Sequence, residues 1–113
     1  AAGADLVAAE QSYRDLRRRV EARLAASLRR YETALSAWQA WTAQGAAALE
    51  EQRALLQRLW EAGEIDAVDY IIQLNQTFAT ESAGVELKGR LWTTWFDWLE
   101  ASAAISEWVE NIQ

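Results

Sequence analysis

The stretch Leu59-Trp60-Glu61-Ala62-Gly63-Glu64-Ile65-Asp66-Ala67-Val68-Asp69-Tyr70 holds the one strong helix-stop and helix-start signal between two long apolar repeats, and it makes the chain a hairpin. Gly63 suits the left-handed position just past a helix, where a Cβ is costly. Asp66 suits the N-cap of the next helix. That choice puts the Asp69 charge at N3, near the helix N-terminus, and lets Ile65 at N′ and Tyr70 at N4 form a hydrophobic staple. The 113 residues contain no proline, so nothing forbids long uninterrupted helices. The expectation is an all-α chain, a long antiparallel two-helix coiled-coil hairpin. Its helices run from about residue 4 to 61 and from about 67 to 110, with a tip turn at 62–66.

Reading back from the turn, Leu59, Leu56, Gln52, Leu49, Gly45, Thr42, Trp38, Leu35 and Tyr31 alternate by three and four residues as a heptad seam. Leu28, Leu24 and Val20 then step by fours before Leu16 and Tyr13, which reads as a local unwinding. In the second arm the seam reads Val68, Ile71, Asn75, Phe78, Ser82, Val85, Gly89, Trp92, Phe96, Leu99 and Ala103. The implied register sets Trp38 against Gly89, Leu35 against Trp92, Tyr31 against Phe96, Leu28 against Leu99 and Leu24 against Ala103. Large side chains then often face small ones, as dense packing requires. A further stripe, Tyr70, Leu74, Leu87, Leu91, Trp95, Trp98, Ile105, Val109 and Ile112, lies to one side. An apolar surface wider than one seam predicts lateral association with neighbouring hairpins, or a closed four-helix bundle of two copies.

Composition narrows function by exclusion. With no cysteine and no histidine, thiolate and imidazole ligands, disulfides and the commonest general base are all missing. No phosphate-binding loop or catalytic set can be assembled, so no enzyme, no cofactor and no metal site is expected. A formal charge of −6 argues against nucleic acid. Seven of the eleven basic residues, Arg14, Arg17, Arg18, Arg19, Arg23, Arg29 and Arg30, lie in one stretch; the register sets most of them near Asp97, Glu100, Glu107 and Glu110, as a paired, solvated face. No apolar run is long enough to span a bilayer, and no export signal is present.

Beyond these generic features, Leu59 to Asp66, then Asp69-Tyr70-Ile71, then Leu91-Trp92-Thr93-Thr94-Trp95-Phe96-Asp97-Trp98-Leu99-Glu100-Ala101 resemble the periplasmic helical hairpin of TolC-like outer-membrane efflux proteins, closest to the second repeat of the metal-efflux branch. An aromatic residue, a glycine three positions on, then an apolar and a small or acidic residue mark that family's tip; here they are Trp60, Gly63, Ile65 and Asp66. Trp60 stands where tyrosine is more usual. The resemblance covers roughly residues 15–105 and is specific over about 55–101.

The resemblance implies a stave of a hollow α-barrel in a trimeric duct of the cell outer membrane. This chain would supply a periplasmic portion, as a fragment of a larger protein whose membrane β-barrel part is missing from it. The implied partners are a periplasmic adaptor protein of a tripartite export system, docked through Trp60, Gly63, Glu64, Ile65 and Asp66, and other copies of the protein. Glu64, Asp66 and Asp69 repeated around a pore entrance would favour cations. From another class, the chain reads as an independent helical-hairpin interaction protein; its Trp60-Glu61-Ala62-Gly63 turn is one residue longer than the Trp-x-Gly turn of small secreted hairpins. A bare coiled-coil spacer is the third reading.

Overall fold

A computed structural model describes residues 2–112 as α1 (Ala2–Ala40), a π-helical turn (Trp41–Gly45), α2 (Ala46–Glu61) and α3 (Ala67–Ile112), with no strand among the described residues. The chain is an all-α helical hairpin whose first arm is α1, the π-turn and α2, and whose second arm is α3. Local chemistry closes the tip. Gly63 takes φ +71°, the N–H of Glu64 donates to the Leu59 carbonyl at 2.9 Å, and the N–H of Gly63 donates to that of Trp60 at 3.1 Å. This pair of bonds satisfies carbonyls that the end of α2 leaves open. Asp66 then caps α3, its Oδ1 accepting from the Asp69 N–H at 2.8 Å. Tyr70 lies flat against Trp60, ring centroids 4.6 Å apart, across the turn.

The helices divide into two units, a tip unit of Thr33–Trp92 and a second unit of the remaining described residues. In the tip unit the arms run antiparallel, with Leu56 and Gln73 lining one recess and Arg53 ion-paired with Glu81. In the other unit Tyr13 stacks on Trp108 and Tyr31 on Trp98, at centroid distances of 5.4 and 6.3 Å.

The first arm turns its expected seam inward at Leu59, Leu56, Leu49, Gly45, Trp38, Leu35 and Tyr31, but not at Gln52, Thr42 or Leu28, which are exposed. Arg53, Trp41 and Ser27 stand there instead. The extra residue also falls elsewhere than expected. The helix is regular through Leu28, Leu24 and Val20, and the irregularity is the π-turn at Trp41–Gly45. A π-turn adds one residue to a helical turn, which brings Trp41 rather than Thr42 into the seam.

The second arm reverses the sequence expectation. Val68, Ile71, Asn75, Phe78, Ser82, Val85, Gly89, Trp92, Phe96, Leu99 and Ala103 are all exposed. The stripe expected to lie sideways is the one that packs: Tyr70, Leu74, Leu87 and Leu91 in the tip unit, and Trp95, Trp98 and Ile105 in the other, are half-buried. Val109 stays 39% exposed, and the side chain of Ile112 lies outside the described ones. The proposed pairs change accordingly. Trp41 meets Gly84 where Trp38 was set against Gly89, and Tyr31 meets Trp98 rather than Phe96.

The physical reason is that the inward stripe is completed by small residues that an apolar count omits. In the tip unit Thr77 is 0% exposed and Gly84 is buried, and in the other unit Ser27 and Ala101 are buried. Small residues let helices approach closely. Their hydroxyls need no partner across the seam, because Thr77 Oγ1 donates to the Gln73 carbonyl at 2.9 Å and Ser27 Oγ to the Leu24 carbonyl at 2.8 Å.

The arginine face is also rearranged. Arg17 pairs with Glu21 on its own helix at 3.0 Å, and among the described residues none of Arg18, Arg19, Arg23, Arg29 and Arg30 is ion-paired with Asp97, Glu100, Glu107 or Glu110. All are exposed, where holding two long side chains in one geometry costs about as much as the pair returns.

Candidate interaction surfaces

At the tip, the residues singled out by sequence have distinct placements. Trp60 is 43% exposed and stacked on Tyr70, and Gly63 is exposed at the apex of the turn. Glu64 projects to solvent while its N–H closes α2. Ile65 is half-buried and turns back to line a recess of about 190 Å³ with Gln52, Leu55, Leu56, Leu59 and Gln73. Asp66 and Asp69 are exposed, but one Asp66 oxygen is already engaged with the Asp69 N–H. The turn therefore presents an acidic rim of Glu61, Glu64, Asp66 and Asp69 beside an apolar recess. Among the described residues, no three Asp or Glu side chains are grouped as a metal site.

The recess was not legible in the heptad, because Leu55 lies beside the seam rather than on it. Leu55 remains 50% exposed next to buried Leu56, and the Leu55–Leu59 spacing of four residues is the signal that places both on one side of α2.

The larger surface lies along α3. In the tip unit Val68, Ile71, Phe78 and Val85 are 68, 56, 52 and 67% exposed, with Ile72 beside them at 48%. They recur at heptad spacing, the pattern that packs against another helix, yet the first arm packs against the neighbouring stripe. Scattered exposed apolar residues are ordinary on a protein surface, whereas a periodic row marks an interface. No described helix is long and apolar enough to cross a membrane.

Compared with models of protein families, with curated proteins and with solved structures, the chain matches none.

Proposed function

We propose that this hairpin is a structural stave: α3 packs sideways against other hairpins of the same kind, and the tip docks a partner protein. The observation that carries the reading is the exposed heptad row Val68, Ile71, Phe78 and Val85, which is ready for another helix. Fully burying a side chain of this kind contributes roughly 1.5–3 kcal/mol, and these four still expose half to two-thirds of their surface, so covering the row favours association. With the tip residues Trp60, Gly63, Ile65 and Asp66, the reading extends to the α-barrel of a TolC-like outer-membrane efflux duct. In that duct the acidic rim and recess at the tip meet a periplasmic adaptor, and the rim acids Glu64, Asp66 and Asp69 line the entrance. The hairpin performs no chemistry in this role; it holds a wall and presents an end.

Sedimentation of the chain tests the lateral part. Self-association is expected at micromolar concentration. Phe78→Glu with Val85→Glu is expected to give monomer with unchanged far-ultraviolet circular dichroism, since two charges would have to be desolvated in the interface. A wild-type chain that stays monomeric at high concentration would remove the proposal.

The tip is tested apart from this, by binding to the periplasmic adaptor of the same export system. Gly63→Leu forces a branched side chain into the left-handed region at a cost of about 1–2 kcal/mol. It is expected to weaken adaptor binding while helicity is retained. Unchanged binding would count against docking at the tip and favour a plain spacer.

A further inference from the structure

The second arm carries two apolar stripes, and something has to decide which packs inside the hairpin and which is left for a neighbour. The stripes sit about one residue apart around α3, a rotation of about 100°. Both stripes are apolar, the exposed one through Val68, Ile71, Phe78 and Val85 and the inward one through Leu74, Leu87 and Leu91, so hydrophobicity alone does not choose between them. We propose that Trp41, clamped between Gly45 and Gly84, is the selector that fixes the inward stripe of α3 and thereby dictates which face is offered for assembly. It rests on the proposed function only for what the offered face is used for.

Three observations converge. First, the first arm departs from α-helix only at Trp41–Gly45, with the N–H of Ala46 bonded to the Trp41 carbonyl. Such one-turn bulges re-aim a side chain. Second, a Cβ at Gly45 would lie 2.9 Å from Trp41 Cζ3, and one at Gly84 would lie 2.6 Å from its Nε1; neither is a tolerable contact. The indole therefore fits only where both helices lack a side chain. Third, Gly89, the glycine of the exposed row, has nothing within 4 Å of an added Cβ. It is displaced from Gly84 by five residues, about 7.5 Å along the helix.

Turning α3 by one residue would present Val85 to the ring at a level where even a methyl group collides. Val85 is thus excluded from the seam by shape, although its hydrophobicity favours it. The buried Thr77 is tolerated on the same inward stripe because the stripe is held there by the ring, its hydroxyl being satisfied on its own helix.

The chain has no cysteine, so single thiols report directly on each stripe. Thr77→Cys places one on the inward stripe and Phe78→Cys one on the outward stripe, at adjacent positions that are 0% and 52% exposed in their native forms. Maleimide labelling is run at a dilution where sedimentation shows monomer, so a failure of lateral assembly cannot disturb it. With Trp41 intact the thiol at position 78 is expected to react on the order of 30-fold faster than that at 77, the difference between an exposed site and one that needs local opening.

In a Trp41→Leu background, which keeps an apolar side chain but removes the rigid ring, the ratio is expected to fall to about 3-fold or less with helicity retained. Gly84→Ala with Trp41 in place should lower the ratio as well, whereas Gly89→Ala should leave it unchanged. A ratio that survives both Trp41→Leu and Gly84→Ala overturns the proposal. So does outright loss of helicity in Trp41→Leu, which would make Trp41 an ordinary core contact.

Discussion

Gly84→Ala is expected to destabilise the hairpin and Gly89→Ala to stabilise it, although the two glycines lie on one helix. In a helix interior, alanine is better than glycine by about 1 kcal/mol, because the glycine backbone loses more freedom on folding. Gly89 has open space around an added Cβ and should gain that amount. At Gly84 the methyl group would enter the space of the Trp41 ring. The ring also lies close against Gly45 of its own helix, where a Cβ would come within 2.9 Å of Cζ3, so it has little room to give way. Overpacking of this kind costs about 1–3 kcal/mol or more and exceeds the backbone gain. Thermal melts should separate the two variants by roughly 10 °C, with the wild type between them. Midpoints that move the same way would show that Gly84 is not the point of close approach.

This contrast also shows what the sequence carried. The stop and the start at the tip were legible because their rules are local: a left-handed glycine and an aspartate cap need only their own neighbours, and Gly63 and Asp66 take those places. The stacking of Tyr70 on Trp60 was not legible there; the expected partner of Tyr70 was Ile65, which lines the recess. The all-α hairpin followed from one such break in a proline-free repeat.

Which face of α3 turns inward was not legible, because periodicity treats Phe78 and Val85 as better seam residues than Thr77 and Gly84. The choice is made by a contact between distant segments, Trp41 on Gly84, and by a π-turn that leaves no mark in the heptad count. The sequence held the ingredients, a tryptophan and two glycines, but paired the wrong tryptophan with the wrong glycine. For the interaction surfaces, the tip acids were visible as residues, whereas the recess behind Ile65 depended on how the chain turns back onto Leu55 and Leu59.

Truncating Leu56 should cost the hairpin far more than truncating Phe78, the reverse of what aromatic size suggests. Leu56 is 6% exposed, the most enclosed large apolar side chain of the first arm, and Leu56→Ala removes both its transfer free energy and its packing. Buried leucines lose about 2–5 kcal/mol on such a change. A two-helix seam lets part of the gap fill with solvent, so the expected loss is near the lower end, about 2 kcal/mol, read as a drop in melting temperature of roughly 10 °C.

Phe78 is 52% exposed, and in a monomer Phe78→Ala should change stability by no more than about 0.5 kcal/mol, the usual range for a surface position. The two variants differ again in their dependence on concentration. If the Phe78 row is covered by a neighbouring hairpin, association stabilises the wild type by mass action as protein concentration rises, and Phe78→Ala loses that increment. The Leu56→Ala deficit should instead persist at every concentration, because it arises within one chain. A Phe78→Ala loss that is full-sized in dilute monomer would place that side chain inside the hairpin and return the seam to the apolar row.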